Sequence, residues 1–227
     1  MPPAAAPTTI EDPRVKSVLR RLHRATWGDL SRILASLPQA GRALARDGMR
    51  AVEPALFASS CLGLSPEQGR LLYITARAIG AKRIVEFGTS FGISTIYLAA
   101  AVRDNGGGLV IGSESEADKC QGARANLAEA GLSDYVDVRL GDARQTLADI
   151  ASPVDFVLLD GWKELYLPIL DLLIPKLRQG AVVLADDVFR FRRALAPYVE
   201  LMQSGRNGFH STSVRIGGGF EFSVYNG

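Results

Sequence analysis

Arg83-Ile84-Val85-Glu86-Phe87-Gly88-Thr89-Ser90-Phe91-Gly92-Ile93-Ser94 organises the rest of the chain. A short apolar run rich in branched residues ends at Gly88. A small polar turn and a second glycine follow, and a helical pattern then runs from Ser94 to Val102. This reads as a buried strand, a tight turn and a helix start. Glycines in such a turn let a ligand approach the backbone closely. The unsatisfied N–H groups of the new helix face the same place.

Leu109-Val110-Ile111-Gly112-Ser113-Glu114 comes after that helix and ends in an acid. Strand, glycine turn, helix, strand and acid together make a nucleoside-binding half of a doubly wound sheet, with the acid placed to accept hydrogen bonds from ribose hydroxyls. The loop lacks the G-x-G-x-x-G of dinucleotide sites, which speaks against a nucleotide-dependent oxidoreductase. A purely structural glycine turn in some other α/β protein is the competing reading of this stretch alone.

The chain has 227 residues, enough for one α/β domain with a small appendage, and its 47% apolar content is ordinary for a globular protein. A net charge of +2 gives no electrostatic footprint for nucleic acid or an anionic membrane. Cys61 and Cys120 form neither a disulfide framework nor a metal-ligand spacing, which fits a reducing cytoplasm. No apolar run reaches transmembrane length. The Pro/Ala-rich start, Met1 to Thr9, reads as a disordered tail rather than a targeting peptide.

Pro13 to about Leu37 carries a helical pattern, with Val15, Val18, Leu19 and Leu22 recurring among basic residues. A solvated basic face over an apolar stripe is the plain reading, and a surface for a partner helix the sharper one. Leu30, Ile33, Leu34 and Leu37 continue the stripe, and Ala40 to Asp47 has helical character. Ser65-Pro66-Glu67-Gln68 is a helix start, with Ser65 as cap, Pro66 at the first position and Gln68 as the capping-box partner. Gly80 closes that helix. The segment before the first strand reads as a helical cap over the sheet's active edge.

Further helices are expected over Ala117 to Ala130, Ala143 to Ile150, the stretch opening at Gly161 and running to about Arg178, and Arg192 to Gln203. Strands are expected over Tyr135 to Leu140, Val154 to Asp160 and Ala181 to Ala185. Phe209 to Ile216 and Phe220 to Tyr225, joined by Gly217-Gly218-Gly219, read as a hairpin. Asp142 is equally suited to lie near an adenine edge and to cap the following helix.

Glu86, Glu114, Asp160, Asp186 and Asp187 all stand in or just after strand ends, where open α/β sheets bind ligands. Clustered carboxylates repel unless a cation joins them. Three acids from two strands suit a hard divalent ion. Spacing alone also allows Asp186 or Asp187 to cap a helix or bind backbone N–H groups.

The Gly88-to-Gly92 turn preceded by Glu86 resembles motif I of class I S-adenosylmethionine-dependent methyltransferases. Ser65 to Val188 resembles, more specifically, the catechol O-methyltransferase type. The residues that carry this are Leu159-Asp160-Gly161-Trp162-Lys163, Tyr166-Leu167-Pro168 and Leu184-Ala185-Asp186-Asp187-Val188. The resemblance implies a doubly wound, seven-stranded, mostly parallel Rossmann-like sheet with an antiparallel C-terminal hairpin and an N-terminal helical cap. Its division would be a tail over 1–12, the cap over 13–80 and the methyltransferase domain over 81–227. It implies Mg²⁺ on Asp160, Asp186 and Asp187, with Lys163 as general base and Asp160 beside it in catalysis. S-adenosylmethionine would meet Glu86, Gly88, Ser94, Glu114, Ser115, Asp142, Ala143, Asp160 and Trp162, with Glu114 on the ribose and Trp162 by the adenine. Methyl transfer to a hydroxyl of a small, catechol-like aromatic follows, by a cytoplasmic enzyme expected to be a homodimer. A metal-free methyltransferase using Asp160 or Asp186 as base is the alternative.

Two positions depart from the family pattern. The best-known enzyme of the family has histidine where Gly161 stands and asparagine where Asp187 stands. No acid matches its substrate-holding residue near the C-terminus, where Phe209-His210 falls.

Overall fold

The computed structural model describes residues 8–26 and 63–227. The expectations for Met1 to Pro7, for the Leu30 to Leu37 stripe, for Ala40 to Asp47 and for Cys61 lie outside the described residues. A single seven-stranded sheet has the order β3-β2-β1-β4-β5-β7-β6. Its strands are β1 (Arg83–Phe87), β2 (Leu109–Glu114), β3 (Val136–Leu140), β4 (Val154–Leu159), β5 (Leu177–Ala185), β6 (Phe209–Val214) and β7 (Phe220–Tyr225). β1 to β5 pair in parallel. β7 joins β5 antiparallel, and β6 pairs with β7 as the edge of the hairpin.

The side-chain alternation of each strand sends its apolar residues to two separate cores. Ile84, Val110, Phe156, Leu158, Val182 and Leu184 face one side. Val85, Phe87, Ile111, Val157, Leu159, Val183 and Ala185 face the other. The first side is covered by α1 (13–26), α2 (Pro66–Ala78), α3 (Ile93–Asp104) and α4 (Ala117–Glu129). The second is covered by α5 (Ala143–Thr146), α6 (Tyr166–Leu173) and α7 (Arg192–Gln203).

Within the described residues, α1 and α2 are part of this helical layer. Val15, Val18, Leu19 and Leu22 of α1 are all buried in it. Burial of each such side chain contributes about 1.5–3 kcal/mol, which accounts for the stripe without a partner helix. Residues 8–12, assigned above to a disordered tail, are ordered. Thr9–Glu11 form a 3₁₀ turn, and the Thr9 N–H donates to both carboxylate oxygens of Asp104 at 3.1 and 2.9 Å.

Three elements differ from expectation. The helix after Gly161 ends at Leu173 rather than near Arg178. Pro175 sits in a 3₁₀ turn over Ile174–Lys176, and the chain then extends. β5 therefore starts at Leu177, not Ala181, with a register shift against β4 between Val154 and Phe156. The helix expected over Ala143 to Ile150 is a single turn, Ala143–Thr146.

Candidate active site

The order of the sheet reverses between β1 and β4, and the crevice this leaves at the carboxyl ends is where ligands bind in such folds. Gly88 makes the crevice possible. Its φ of +97° is left-handed, and a Cβ there would lie 2.6 Å from the Asp160 carbonyl oxygen. The turns after β1 and β4 thus touch backbone to backbone. The Asp160 N–H donates to the Phe87 carbonyl at 2.8 Å.

Glu86 is fully buried beneath this turn. Its Oε2 accepts from Thr89 Oγ1 at 3.0 Å and from Thr95 Oγ1 at 2.6 Å. Its Oε1 has no hydrogen-bond partner. Burial pushes its pKa up, against the hydroxyls of Ser94, Thr95 and Thr89, which hold it down. A buried acceptor without a donor is costly, and it fits a ligand carrying N–H groups. Ser94 is buried and, with Gly88, Ser90 and Asp160, lines a small cavity to which Gly63 and Leu64 also contribute.

Glu114 ends β2. Its Oε2 accepts the Ser90 N–H at 2.7 Å and its Oε1 the Glu116 N–H at 2.9 Å. These bonds aim the carboxylate at the turn after β1. Ser115 is exposed beside it. The Gly141 N–H donates to the Glu114 carbonyl at 2.9 Å, which brings the turn after β3 alongside. There Asp142 caps α5, accepting the Arg144 N–H at 2.9 Å, and is ion-paired with the Arg144 side chain. That hydrogen bonding to Arg144 lowers its pKa. Of the two readings of Asp142, capping is the contact the structure shows. Ala143 is buried behind it, and Trp162 is 39% exposed on the β4 side.

Asp160, Asp186 and Asp187 converge, each offering an oxygen within 4.8 Å of the others. Burial and the neighbouring Asp186 raise the Asp160 pKa well above the usual carboxylate range. Burial, and then Asp187, push Asp186 up to about 7. Asp187 adopts a left-handed φ of 67°, rare for a non-glycine residue and costing about 1–2 kcal/mol. Strain of this kind is found where surrounding structure over-determines a residue, as at ligand clamps. The donor set is all carboxylate oxygen, and its three acids face two cations, Lys163 and Arg190, whose guanidinium lies 3.3 Å from Asp187 Oδ1; the acids outnumber them, so the set fits a hard divalent cation.

Lys163 Nζ lies 3.3 Å from Asp187 Oδ2 and 3.8 Å from Asp160 Oδ1. It donates to Tyr166 Oη at 2.8 Å, and Tyr166 in turn donates to the Asp186 carbonyl at 3.1 Å. Tyr166, fully buried on α6, thereby anchors the lysine, a role not assigned to it above. Its spacing three residues after Lys163 is the one sequence signal for it. Gln68 was also missed as a site residue. Beyond its expected capping box, its Nε2 donates to Asp186 Oδ1 at 2.8 Å. Nothing in the local sequence signals a contact across 118 positions.

The glycines of the hairpin turn have a second purpose. A Cβ at Gly218 would lie 2.1 Å from Asp187 Oδ1, and one at Gly219 would lie 2.0 Å from the Phe189 ring. The family's histidine has no counterpart at Gly161, where a Cβ would lie 2.4 Å from the Phe87 ring. His210 stands on the outer strand β6, paired with Val224. The hairpin's acid, Glu221, is buried and bonded to Gln203, Ser211 and Ser213.

A family profile described as "Methyltransferase domain" matches residues 85–188, the span from β1 to the acid pair. The cofactor-bound Rv0187 from MTB superposes with a TM-score of 0.68 at 30% identity, over 82% of this chain and 95% of that one. The chain belongs to the class I S-adenosylmethionine-dependent O-methyltransferases. Another O-methyltransferase structure, TomG from Streptomyces achromogenes in complex with SAM, superposes with a TM-score of 0.67 at 27% identity. It covers 85% of this chain and 90% of its own. The catechol O-methyltransferase of Mycobacterium tuberculosis is 38% identical over 130 residues, which are 57% of this chain. The match spans 58% of that relative's length. Among the described residues, no helix of this methyltransferase is long and apolar enough to cross a membrane.

Proposed function

We propose that this O-methyltransferase transfers a methyl group from S-adenosylmethionine to a hydroxyl of a small, catechol-like aromatic held on a divalent cation, Mg²⁺ by the hardness of the ligands. The observation that carries this reading is the convergence of Asp160, Asp186 and Asp187 within 4.8 Å, with Lys163 Nζ 3.3 Å from Asp187. The similarity to a catechol O-methyltransferase supports the substrate class.

When bound, the sulfonium donor supplies an activated methyl group, and the cation lowers the pKa of a coordinated hydroxyl. The residues of the chain supply the rest. Glu86, Gly88, Ser94, Glu114, Ser115, Asp142, Ala143, Asp160 and Trp162 would bind the donor, with Glu114 on the ribose hydroxyls and the unpaired Glu86 Oε1 accepting a donor N–H. Asp160, Asp186 and Asp187 would hold the cation at the same strand ends. Lys163 would take the hydroxyl proton at Nζ as the neutral amine, and Tyr166 fixes that nitrogen's position. In this scheme the chain mainly aligns the two reactants, which contributes up to about 7–11 kcal/mol in ideal cases. The carboxylate at Asp187 makes the site more negative than the family's asparagine would.

A cytoplasmic homodimer completes the proposal, and a dimer mass in light scattering at micromolar protein tests the assembly. The chemistry is tested by stripping the metal, confirming its removal by elemental analysis, and measuring turnover on a vicinal diol. Turnover should vanish and return with Mg²⁺, while calorimetric donor binding persists. Full activity in the stripped sample would replace this reading with the metal-independent one.

A further inference from the structure

Gln68 is a buried polar side chain, 4% exposed, with a bond at each end of its amide group. Its Oε1 accepts the Ser65 backbone N–H at 3.1 Å, and the Gln68 backbone N–H donates to Ser65 Oγ at 3.2 Å. With Oε1 so engaged, the amide orientation is determined: Nε2 must face Asp186, whose Oδ1 it meets at 2.8 Å. The opposite orientation would set donor against donor at Ser65 and acceptor against acceptor at Asp186. The hairpin turn closes over the same group, since a Cβ at Gly217 would lie 2.1 Å from Gln68 Oε1. The amide is therefore held between the N-terminus of α2, the glycine turn and one carboxylate.

We infer that Gln68 is a positioning residue for the cation site, holding Asp186 in the rotamer that presents its remaining oxygen toward Asp160 and Asp187. The inference rests on the cation reading proposed above. Carboxylates that ligate a metal are themselves hydrogen-bonded, and loss of such an outer bond weakens metal affinity about 10–100-fold. The bond also has a second consequence. Ser65 follows Gly63 and Leu64, which wall the cavity beside Gly88, Ser90 and Asp160. Through Gln68, the cation site and that wall share one anchor.

Two variants separate positioning from simple support of α2. Gln68→Met keeps length and helix propensity but loses the bond to Asp186 together with half of the capping box. Ser65→Ala loses the other half of the capping box and leaves the Gln68 amide facing Asp186. The probe is Mn²⁺ alone, titrated into the full chain and followed by the electron paramagnetic resonance signal of the free ion. The expected result is a 10–100-fold weaker Mn²⁺ Kd in Gln68→Met, and a Kd within about twofold of wild type in Ser65→Ala despite a lower Tm. Equal affinity in Gln68→Met and wild type overturns the inference, as does an equal loss in both variants. A wild type that binds no Mn²⁺ overturns the cation reading itself. Should Gln68→Met not fold, Gln68→Glu retains the capping acceptor and places a fourth carboxylate beside Asp186. With no N–H left to donate to Asp186, the Mn²⁺-induced rise in Tm should be smaller than in wild type, and an equal or larger rise overturns the inference.

Discussion

Replacing Gly88 by alanine tests the contact on which the whole site depends. Two costs can be worked from the structure. A non-glycine residue forced to a left-handed φ costs about 1–2 kcal/mol, and +97° lies beyond the favourable left-handed region. The new Cβ would also lie 2.6 Å from the Asp160 carbonyl oxygen and 2.7 Å from the Gly161 nitrogen, both backbone atoms that no rotamer change can remove. Overpacking of this kind costs about 1–3 kcal/mol, so Gly88→Ala should lose about 2–5 kcal/mol in urea unfolding. Gly80 supplies the control: its φ is +62°, but a Cβ there meets nothing within 4 Å. Gly80→Ala should therefore show only the conformational cost of about 1–2 kcal/mol. The excess in Gly88→Ala measures the approach of the two turns. Any relief of the clash must move Asp160, so divalent-ion affinity should fall with stability. A Gly88→Ala protein no less stable than Gly80→Ala, with unchanged ion affinity, would refute the reasoning.

Lys163→Met should retain donor and cation binding in calorimetry while slowing single-turnover methyl transfer about 10²–10⁴-fold; an unchanged rate would remove the lysine from proton transfer. Glu114→Ala should weaken S-adenosylmethionine binding markedly, and unchanged calorimetric affinity would remove Glu114 from the donor site. Glu86 carries a pH signature. Its folded pKa is raised, chiefly by burial, above the ordinary 4.5, so its contribution to stability is complete below about pH 4.5 and is lost as pH rises through the folded value. Glu86→Gln cannot ionise, so its stability advantage over wild type should be larger at pH 8 than at pH 5. A difference that stays constant across that range would show that Glu86 does not titrate as its burial requires.

Much of this molecule is written in short stretches of chain. The apolar runs in Arg83–Phe87 and Leu109–Glu114, the glycine turns that follow strands, and the Ser65-to-Gln68 capping box depend on residues within a few positions of one another. Local sterics and hydrogen bonding are enough to read them. The acids at the carboxyl ends were legible for the same reason, because a strand's direction decides which end its last residue occupies. Their convergence was not: parallel neighbours such as β4 and β5 say that Asp160 and Asp186 are close, but not which oxygens meet.

Contacts between distant positions become visible only in the packed molecule. Gln68 meets Asp186 across 118 residues, and Thr9 holds Asp104 across 95, so an apparent tail became part of the core layer. Asp142 had two uses that its local sequence fitted equally; the structure shows it capping α5 through the Arg144 N–H and paired with the Arg144 side chain, and its contact with the donor belongs to the proposed function. Tyr166 needed the Asp186 carbonyl overhead before its hydroxyl could orient Lys163. The helix after Gly161 stopped early because Pro175 cannot continue it and β4 offered Leu177 a partner. The local pattern marks these residues, and the packed sheet and helices bring their distant partners within hydrogen-bonding reach.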